Sequence, residues 1–393
     1  MRAFLFTLLT SLLLIPRSQA QEDSFYGYVK SETIHDTRQV AQVREGQFHL
    51  YPLRPLDDNL DGNDDRDQNN LLMAAFQSRL GVKGSADLPE SGRVLATLEA
   101  DFFGQNDTAI SMLRLRLAFV SWNRGAHAFL AGQTWSPLFT AGLHPGVVGF
   151  ATGAPFQPFA RFPQLRYTWT GERLTFIAAA STQRDAFAEI GGAKMQQQSG
   201  QPALHAHLTT HWGRTLLGAG GTTKKVLCFL DGPSFRANAW TAYGRYQREE
   251  WQITAKVVRG QDLTDHLMTG GFLATSSGSV LPAWVNAGWL DFTTGVRPNL
   301  DVGLFVGALS NRGMESGLDL DVTETFVRAA DLESLIRLAP RVVFTQGPMQ
   351  VSLELEMTRA NYATQMSDDF RPLAAGAESV TNVRSLLAVY YHF

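Results

Sequence analysis

The sequence predicts an all-β fold, a transmembrane antiparallel β-barrel of about sixteen strands in a single domain. Three observations lead to this prediction: strand-length segments that alternate between apolar and charged residues, connections that are alternately short and long, and a secretory signal ahead of them. Strands of about nine to eleven residues, apolar on one face and polar on the other, are what a barrel needs to cross a bilayer.

The composition agrees with a barrel. The 393 residues include 35 glycines and 11% aromatic residues, and only 18% of them are charged, compared with about a quarter in typical soluble domains. After residue 20 no segment has the run of about eighteen apolar residues that a membrane helix requires. The single cysteine, Cys228, excludes an internal disulfide framework and a cysteine-based zinc site.

Residues 1–20 have the features of a cleaved signal peptide. Arg2 supplies the positive start, residues 3–15 form an apolar stretch too short to span a bilayer, and residues 18–20 have small side chains at the cleavage positions. The mature chain is therefore predicted to be residues 21–393. Cleavage removes Arg2 and Arg17 and no acidic residue, so the formal net charge moves from −3 to −5. This charge gives no support to a nucleic-acid partner.

The alternation is most regular between residues 92 and 135. In residues 92–103, Arg93, Glu99 and Asp101 share one face, and the intervening residues are apolar. In residues 112–122, Arg114 and Arg116 are predicted to face the lumen. The residues predicted to face lipid are Leu113, Leu115, Leu117 and Phe119. Successive side chains of a strand point to opposite faces, so each segment predicts one lipid face and one lumen face.

The connections also follow a barrel pattern. Sixteen candidate strands lie near residues 25–34, 72–84, 92–103, 112–122, 126–135, 164–171, 173–183, 203–212, 214–223, 235–247, 251–260, 283–295, 300–309, 333–345, 349–361 and 381–393. Every second connection is short, and most of those between are long, as expected for periplasmic turns and external loops. The first external loop is the acidic segment 35–71, and the third is 136–163.

The last strand predicts the compartment. Leu387, Val389, Tyr391 and Phe393 share one face, and the chain ends on an aromatic residue. This pattern resembles the C-terminal signature of proteins inserted into the Gram-negative outer membrane. It predicts contact with the outer-membrane assembly machinery, with the lipid bilayer and with lipopolysaccharide.

Four segments carry a resemblance to a known family. Residues 77–83 (QSRLGVK), 98–104 (LEADFFG), 130–136 (LAGQTWS) and 339–347 (APRVVFTQG) are similar to the DcaP-like family of outer-membrane porins. The resemblance extends over the mature chain and is strongest between residues 77 and 136. It implies a sixteen-stranded homotrimeric porin that passes small, often anionic organic solutes such as dicarboxylates. Its motifs are wall segments, so they identify a fold better than a substrate.

The third external loop is predicted to constrict the pore. Residues 136–163 are rich in proline and glycine and carry Phe139, Phe150, Phe156 and Phe159. So long an apolar loop is unfavourable in water and is expected to have a function. Folded into the barrel it would bury its aromatic side chains and narrow the lumen. The alternatives are a cap on the barrel mouth or a contact between subunits.

Cationic residues are predicted to face the lumen around this constriction. The ten candidate pore-lining residues are Arg79, Arg93, Arg114, Arg116, Arg161, Arg166, Arg337 and Arg341 and the acidic residues Glu99 and Asp101. The two acidic residues are expected to neutralise Arg93 in part. A ring of guanidinium groups in a narrow pore attracts anions and binds carboxylates in a bidentate manner. The alternative is that the arginines pair with acidic residues of the wall and have no further role.

The acidic loop contains a candidate calcium site. Asp57, Asn59, Asp61 and Gly62 match the opening of a calcium-binding loop, but the twelfth position, where such loops place a bidentate Glu, is Gln68. A solvated acidic loop is the alternative. No other cofactor is predicted.

The sequence thus predicts passive diffusion of small anionic, carboxylate-bearing solutes through an arginine-lined pore, without enzymatic activity. No sequence motif for a nucleophile, a metal hydrolase or a phosphate loop occurs. Two alternatives stay open: a non-conducting barrel that acts as an adhesin or anchor, and a barrel hydrolase whose catalytic residues are not recognisable from their spacing.

Overall fold

A computed structural model describes residues 22–104, 106–184, 194–228, 232–314 and 322–393. The predicted signal peptide, residues 1–20, lies outside them. The strands are β1 (Glu22–Asp36), β2 (Val40–Val43), β3 (Phe48–Pro52), β4 (Asn70–Ala74), β5 (Arg79–Leu88), β6 (Gly92–Asp101), β7 (Arg114–Arg124), β8 (His127–Trp135), β9 (Arg161–Thr170), β10 (Leu174–Ser181), β11 (Ala203–Trp212), β12 (Thr215–Leu227), β13 (Ser234–Gln247), β14 (Trp251–Gln261), β15 (Gly270–Thr275), β16 (Val280–Pro282), β17 (Trp284–Arg297), β18 (Leu300–Asn311), β19 (Val322–Arg328), β20 (Leu332–Gln346), β21 (Met349–Tyr362) and β22 (Glu378–His392).

The strands form a closed antiparallel barrel. Each barrel strand pairs with its neighbours in the chain, and β22 pairs with β1 to close the sheet. Both β4 and β5 pair with β1, so together they make one interrupted barrel strand. Counted in this way, the described residues form sixteen barrel strands, as the sequence predicts.

The closure involves the last residue of the chain. Gly27 and Phe393 exchange two backbone hydrogen bonds of 3.1 Å, and the rings of Phe25 and Phe393 stack with their centroids 5.5 Å apart. Aromatic pairs in this geometry add to the energy of burial. The terminal phenylalanine therefore contributes to the seam where the two ends of the barrel meet.

The outer surface is apolar and the interior is polar. In β21, for example, Leu353, Leu355 and Met357 are exposed, while the alternate residues Glu354 and Glu356 are buried. This arrangement would be unfavourable for a barrel surrounded by water, and it is the one expected when lipid surrounds the outer face. The alternation read from the sequence is therefore a true division into a lipid face and a lumen face. Among the described residues, no helix is long and apolar enough to cross a membrane.

One strand departs from the predicted alternation. The register between β6 and β7 shifts after Ala100 pairs with Leu115, so that Glu99 pairs with Leu117 and Arg116 is the extra residue of a bulge. A bulge reverses the faces of the residues that follow it. Leu115 points outward, as predicted, but the prediction that Leu117 and Phe119 face lipid is wrong. Leu117 lines a cavity inside the barrel, and Phe119, two residues further along the strand, shares its face.

Helices and additional strands lie in the long loops. The first external loop spans residues 37–69, slightly less than predicted, and contains the β2–β3 hairpin. Strands β15, β16 and β19 form a separate three-stranded sheet in the loops before β17 and β20. The short helices are the α-helix Lys194–Gln198 and the 3-10 helices Asp107–Ala109, Pro137–Phe139 and Thr264–His266.

Candidate functional site

The third external loop lies inside the barrel. It spans residues 136–160, because β9 begins at Arg161 rather than after residue 163, and we call it the inner loop. Phe139 and Phe159 are almost fully buried, and they pack with Phe150 and Phe103 in one apolar cluster. Trp135, at the end of β8, stacks on Phe139 with their ring centroids 3.9 Å apart. The loop thus has its own small hydrophobic core within a polar lumen.

Charged side chains of the barrel wall satisfy the backbone of the inner loop. Lys256 Nζ donates to the carbonyl oxygens of Leu138 and Phe139 at 2.5 and 3.0 Å. The Glu354 carboxylate accepts hydrogen bonds from the backbone N–H groups of Val148 and Gly149 at 2.8 and 3.0 Å. Buried backbone groups must find partners, and bonds to charged partners are stronger than neutral ones. These contacts fix the inner loop against strands β14 and β21.

Two arginines on β20 extend this attachment. Arg337 donates to the Ala154 carbonyl at 2.9 Å and to the Leu50 carbonyl of the β2–β3 hairpin at 3.1 Å. Arg341 binds both oxygens of Asp291, at 2.7 and 2.9 Å, and Asp291 accepts a 3.1 Å hydrogen bond from Gly146 N. Both arginines are buried, and neither lines the cavity that the inner loop borders. They were predicted to line the pore, and the structure instead places them in contacts that hold the loops.

The β2–β3 hairpin of the first external loop also enters the lumen. His49 contacts the Glu356 carboxylate through Nδ1, and Arg337 donates to the His49 carbonyl at 3.2 Å. Burial lowers the pKa of His49 to about 4, with Arg337 acting in the same direction and Glu356 opposing it. The imidazole is therefore neutral at pH 7. The hairpin and the inner loop share Arg337 as a common point of attachment.

A cavity of about 460 Å³ remains between the inner loop and one side of the barrel wall. We call it the inner-loop cavity. Its wall side is lined by Tyr28, Gln77, Arg79, Glu99, Arg116, Leu117, Trp135 and Tyr390, and its loop side by Phe139, Phe150, Phe159 and several small residues between 141 and 152. Charged and aromatic groups therefore face each other across a space large enough for a small organic molecule.

The charges of this wall are mutually paired. Arg114 binds both oxygens of Asp101 at 3.0 and 2.8 Å, and Arg116 bridges Asp101 and Glu99 at 3.0 and 2.8 Å. Arg79 lies farther from Glu99, with its Nε 3.7 Å from the carboxylate, and its side chain is 21% exposed. Three guanidinium groups against two carboxylates leave one positive charge. Arg79, the least constrained of the three, is the cation most accessible from the cavity.

Several predicted residues lie elsewhere. Arg93 is near the short-turn end of β6, where it donates to Ser85 at 2.7 Å and lies 3.8 Å from Asp87. The prediction that Glu99 and Asp101 neutralise Arg93 is therefore wrong. Because Arg93 is eight residues from Asp101 on an extended strand, the two are separated by about 26 Å.

Arg161 and Arg166 belong to β9 and do not line the inner-loop cavity. Arg161 is buried with its guanidinium 5.0 Å from the centre of the Trp135 ring. Arg166 donates to the Trp135 carbonyl at 2.5 Å and to Gln164 at 2.9 Å. Phe156 is also outside the cavity and packs near Phe305. Of the ten predicted pore-lining residues, the cavity is lined by three: Arg79, Glu99 and Arg116.

The residues that hold the inner loop were not among those predicted from the sequence. Lys256, Asp291 and Glu354 all occupy lumen-facing positions of predicted strands. A charged residue at such a position was the available signal, and it was as strong at these three residues as at Glu99 and Asp101. The aromatic residues Tyr28 and Tyr390 were also missed, although both lie at lumen positions of the strands that close the barrel.

Ser136 of the inner loop, His266 and Asp265 form a chain of two hydrogen bonds that joins the inner loop to the loop after β14. Ser136 Oγ is 3.2 Å from His266 Nε2, and His266 Nδ1 is 2.9 Å from Asp265 Oδ1. Burial raises the pKa of Asp265, but Lys224 and His266 outweigh this effect and hold the pKa below its usual range. The connectivity is that of a hydrolase triad. However, Ser136 Oγ accepts the Leu138 N–H and the serine is almost fully buried, so no substrate carbonyl reaches it in this arrangement.

The acidic loop is arranged around backbone hydrogen bonds. Asp57 accepts from the N–H groups of Asp61 and Gly62, each at 3.0 Å, and Asn59 accepts from Asp61 N at 3.1 Å. Nowhere in the described ranges do three or more His, Cys, Asp or Glu side chains form a group suited to a metal ion. Calcium binding by Asp57, Asn59 and Asp61 stays a prediction.

Comparison with solved structures confirms, at the level of the fold, the resemblance that the sequence predicts. The outer membrane channel DcaP of Acinetobacter baumannii is similar with a TM-score of 0.73 and 18% sequence identity, over 95% of this chain and 98% of that one. The anion-selective porin from Comamonas acidovorans is similar with a TM-score of 0.60 and 10% identity, over 95% and 100% of the two chains.

The trimer form of OmpT, an outer membrane protein of Vibrio cholerae, is similar with a TM-score of 0.58 and 12% identity, over 95% of this chain and 100% of that one. No protein-family model matches the sequence, and no curated protein matches it. Because these identities are low, the likeness concerns the architecture of the barrel and not its solute.

Proposed function

We propose that this protein is a porin of the Gram-negative outer membrane, through which small anionic solutes diffuse passively. The barrel has an apolar outer surface and a polar interior, as a membrane channel requires. The solved structures that resemble it include a channel and an anion-selective porin. The observation that carries the proposal is the inner-loop cavity, in which Arg79 faces a space within the lumen.

In this proposal the inner loop is the constriction. It occupies the lumen between β5–β8 on one side and β14–β21 on the other, and solutes pass beside it through the inner-loop cavity. The loop is held by charged contacts to Lys256, Glu354 and Arg337. A loop fixed in this way keeps a narrow opening, so the pore selects solutes by their size and charge.

Anion preference would come from the excess positive charge of the cavity wall. Arg79, Arg114 and Arg116 outnumber Glu99 and Asp101 by one, and the guanidinium of Arg79 is the one left accessible. In a narrow pore with low-dielectric walls, the electrostatic field of a single unbalanced charge is screened little and attracts ions over a long distance. Arg114 and Arg116 would contribute chiefly by holding the carboxylates in place.

The solute would be a small carboxylate with an apolar part. Arg79 would bind the carboxylate, because a guanidinium group matches its two oxygens. Trp135, Phe139 and Phe150 would contact the apolar part, since their side chains line the same cavity. Three copies would assemble into a trimer, as the family resemblance implies and as the trimer form of OmpT illustrates.

The test is conductance of the refolded protein in planar bilayers under a potassium chloride gradient. We expect steps grouped in threes and a reversal potential that indicates anion selectivity. The variant Arg79→Gln should shift the reversal potential towards cation selectivity with little loss of stability, since a partly exposed pair contributes less than about 1 kcal/mol. Arg359→Gln, which removes the same charge from an exposed position on β21, is the matched control and should leave the reversal potential unchanged.

Other outcomes would separate the alternatives. Cation selectivity of the unmodified protein would agree with a porin but would contradict the proposal that the arginines make the pore selective for anions. Equal reversal potentials for Arg79→Gln and the unmodified protein would reject Arg79 as the selective cation. A folded barrel without conductance would favour the adhesin or anchor, and ester hydrolysis lost in Ser136→Ala would favour the hydrolase.

A further inference from the structure

The outer surface of the barrel carries a groove that the pore does not use. It has a volume of about 760 Å³ and lies on strands β13, β14, β17, β18 and β20. Its floor consists of the outward residues Ala242, Val257, Gly288, Ala308 and Ile336, which pair with one another in a single row across the five strands. Elsewhere the same face has larger residues such as Leu290, Leu304 and Leu338. The groove exists because Ala242, Gly288 and Ala308 are small.

A polar row borders the groove on the side of the long loops. It consists of Arg259, Asn286, Ser310 and Ser334, which occupy paired positions on consecutive barrel strands. Each is close to the end of its strand that leads into a long loop. All four side chains carry hydrogen-bond donors, and the only charge among them is positive. The row suits an acceptor-rich anion placed at the external end of an apolar groove.

Arg259 is positioned by aromatic residues and not by an acid. Its guanidinium lies 4.8 Å from the centre of the Trp284 ring, and Trp284 stacks on Trp240 at 5.7 Å. Its hydrogen bond to Asn286 is long, at 3.4 Å. Within the described part of the chain it forms no ion pair. Tryptophan residues mark the level of the lipid headgroups, where an outward arginine costs little. Arg259 therefore presents an unneutralised cation at headgroup level.

A second outward arginine lies beyond the far edge of the groove. Arg359 on β21 pairs in register with Ile336, and it donates to Ser379 at 2.8 Å. It too forms no ion pair with a residue that the structure describes. Four strand spacings separate β14 from β21, which corresponds to about 19 Å. Positive charge thus flanks the groove on both sides.

We propose that this groove binds a phosphate-bearing lipid of the outer leaflet, with an acyl chain on the small-residue floor and a phosphate on Arg259. The chemistry is that of lipopolysaccharide, whose lipid anchor combines acyl chains with phosphate groups. Asn286, Ser310 and Ser334 donate to the same headgroup. A second copy of the chain is a poorer occupant, because it would have to supply a carboxylate to Arg259 within an apolar contact. The location in the outer leaflet rests on the proposed function.

The test measures lipid bound to the full mature chain in detergent by native mass spectrometry. The probes are diphosphorylated lipid A and the same lipid with both phosphates removed. We expect the unmodified protein to retain the phosphorylated form and to bind the dephosphorylated form at least tenfold more weakly, because losing one charge-assisted hydrogen bond changes the dissociation constant by about this factor. Arg259→Gln should weaken binding of the phosphorylated lipid by about tenfold. Ala308→Leu, which fills the groove, should weaken binding of both lipids.

The matched control is Arg248→Gln. Arg248 is exposed beside the short turn before β14, and its guanidinium lies 5.8 Å from the centre of the Tyr246 ring, so it resembles Arg259 but lies at the opposite end of the barrel. Its loss should leave lipid binding unchanged. Equal binding of the two lipids, or binding unaffected by Arg259→Gln and Ala308→Leu, would overturn the inference. So would an Ala308→Leu variant that dissociates into monomers while its lipid binding is intact, because a second copy would then cover the groove.

Conductance of the same preparations distinguishes this inference from the proposed function. Both Arg259→Gln and Ala308→Leu lie outside the lumen and should conduct as the unmodified protein does. A protein that binds the phosphorylated lipid through Arg259 but never conducts would support lipid binding in the groove and would contradict the proposed porin function.

Discussion

The two sides of the lumen carry similar charges but use them differently. On the side of β5–β7, Arg79, Arg114 and Arg116 face Glu99 and Asp101, and this group borders the inner-loop cavity. On the side of β14–β21, lumen-facing charges reach the inner loop itself, as Lys256 and Glu354 do. We call the first the cavity side, which contacts the solutes in the proposed function, and the second the mounting side, because it holds the inner loop.

The difference follows from the position of the inner loop. A buried loop brings unsatisfied backbone donors and acceptors into the lumen, and the nearest wall must satisfy them. On the mounting side Lys256 and Arg337 donate to carbonyl groups of the loops, and Glu354 and Asp291 accept hydrogen bonds from N–H groups of the inner loop. On the cavity side the arginines and carboxylates bind chiefly one another, and Asp101 also accepts a 3.3 Å hydrogen bond from Phe103 N. The same residue types therefore have a structural role on one side and an accessible surface on the other.

The largest expected effect comes from breaking the mounting side at Arg337. Arg337→Leu removes the donor to the carbonyl groups of Ala154, His49 and Leu50, and it leaves Glu356 without its arginine. Breaking a buried pair in this way costs about 3–5 kcal/mol. We expect a lower urea midpoint, measured by the gel mobility of the folded barrel, and a larger, noisier single-channel conductance as the inner loop is released.

The control for this variant lies on the next strand. Arg359→Leu removes an arginine from the outward face of β21, where the guanidinium donates to Ser379 at 2.8 Å. It should leave the conductance steady. If Arg337→Leu had the stability and the quiet conductance of the unmodified protein, Arg337 would not be part of the mount.

The next effect tests which face of the barrel a residue occupies. Leu98 is 56% exposed in the middle of β6 and faces lipid, so Leu98→Arg should cost about 2–4 kcal/mol near the bilayer midplane. Leu117 on the adjacent strand β7 lines the inner-loop cavity, and Leu117→Arg should not incur this lipid cost. The measurement is the yield of folded barrel in liposomes. Equal losses for the two variants would mean that the bulge does not reverse the strand.

The smallest effect concerns a neutral contact on the mounting side. Trp289 Nε1 donates to Gln157 Oε1 of the inner loop at 2.9 Å. Trp289→Phe leaves that buried oxygen without its donor, at a cost of about 1–3 kcal/mol. Trp284→Phe changes an outward residue of the same strand and serves as the control. We expect a lower urea midpoint for Trp289→Phe alone. No difference between the two variants would indicate that charged contacts are sufficient to hold the loop.

Sequence alone determined the barrel. The alternation of residues fixes which side chains face lipid, because a strand has only two faces, and the lengths of the connections fix the direction of each strand. For this reason all sixteen barrel strands, with β4 and β5 counted as one, could be placed from the sequence to within a few residues. The third external loop could also be recognised, since so many aromatic side chains could not remain in water.

Only the tertiary structure decided what each lumen residue does. The alternation of residues along each strand shows that Arg116 and Arg337 point inward. It does not show that Arg116 faces a cavity, while Arg337 donates hydrogen bonds to two loops. Their partners lie far along the chain: Asp291 receives both Arg341 and the backbone of Gly146. The bulge at Arg116 could not be placed from the sequence of β7, because residues 117–120 are all apolar and show no alternation. Local periodicity specifies a direction, whereas a role depends on which distant groups occupy the space that the side chain enters.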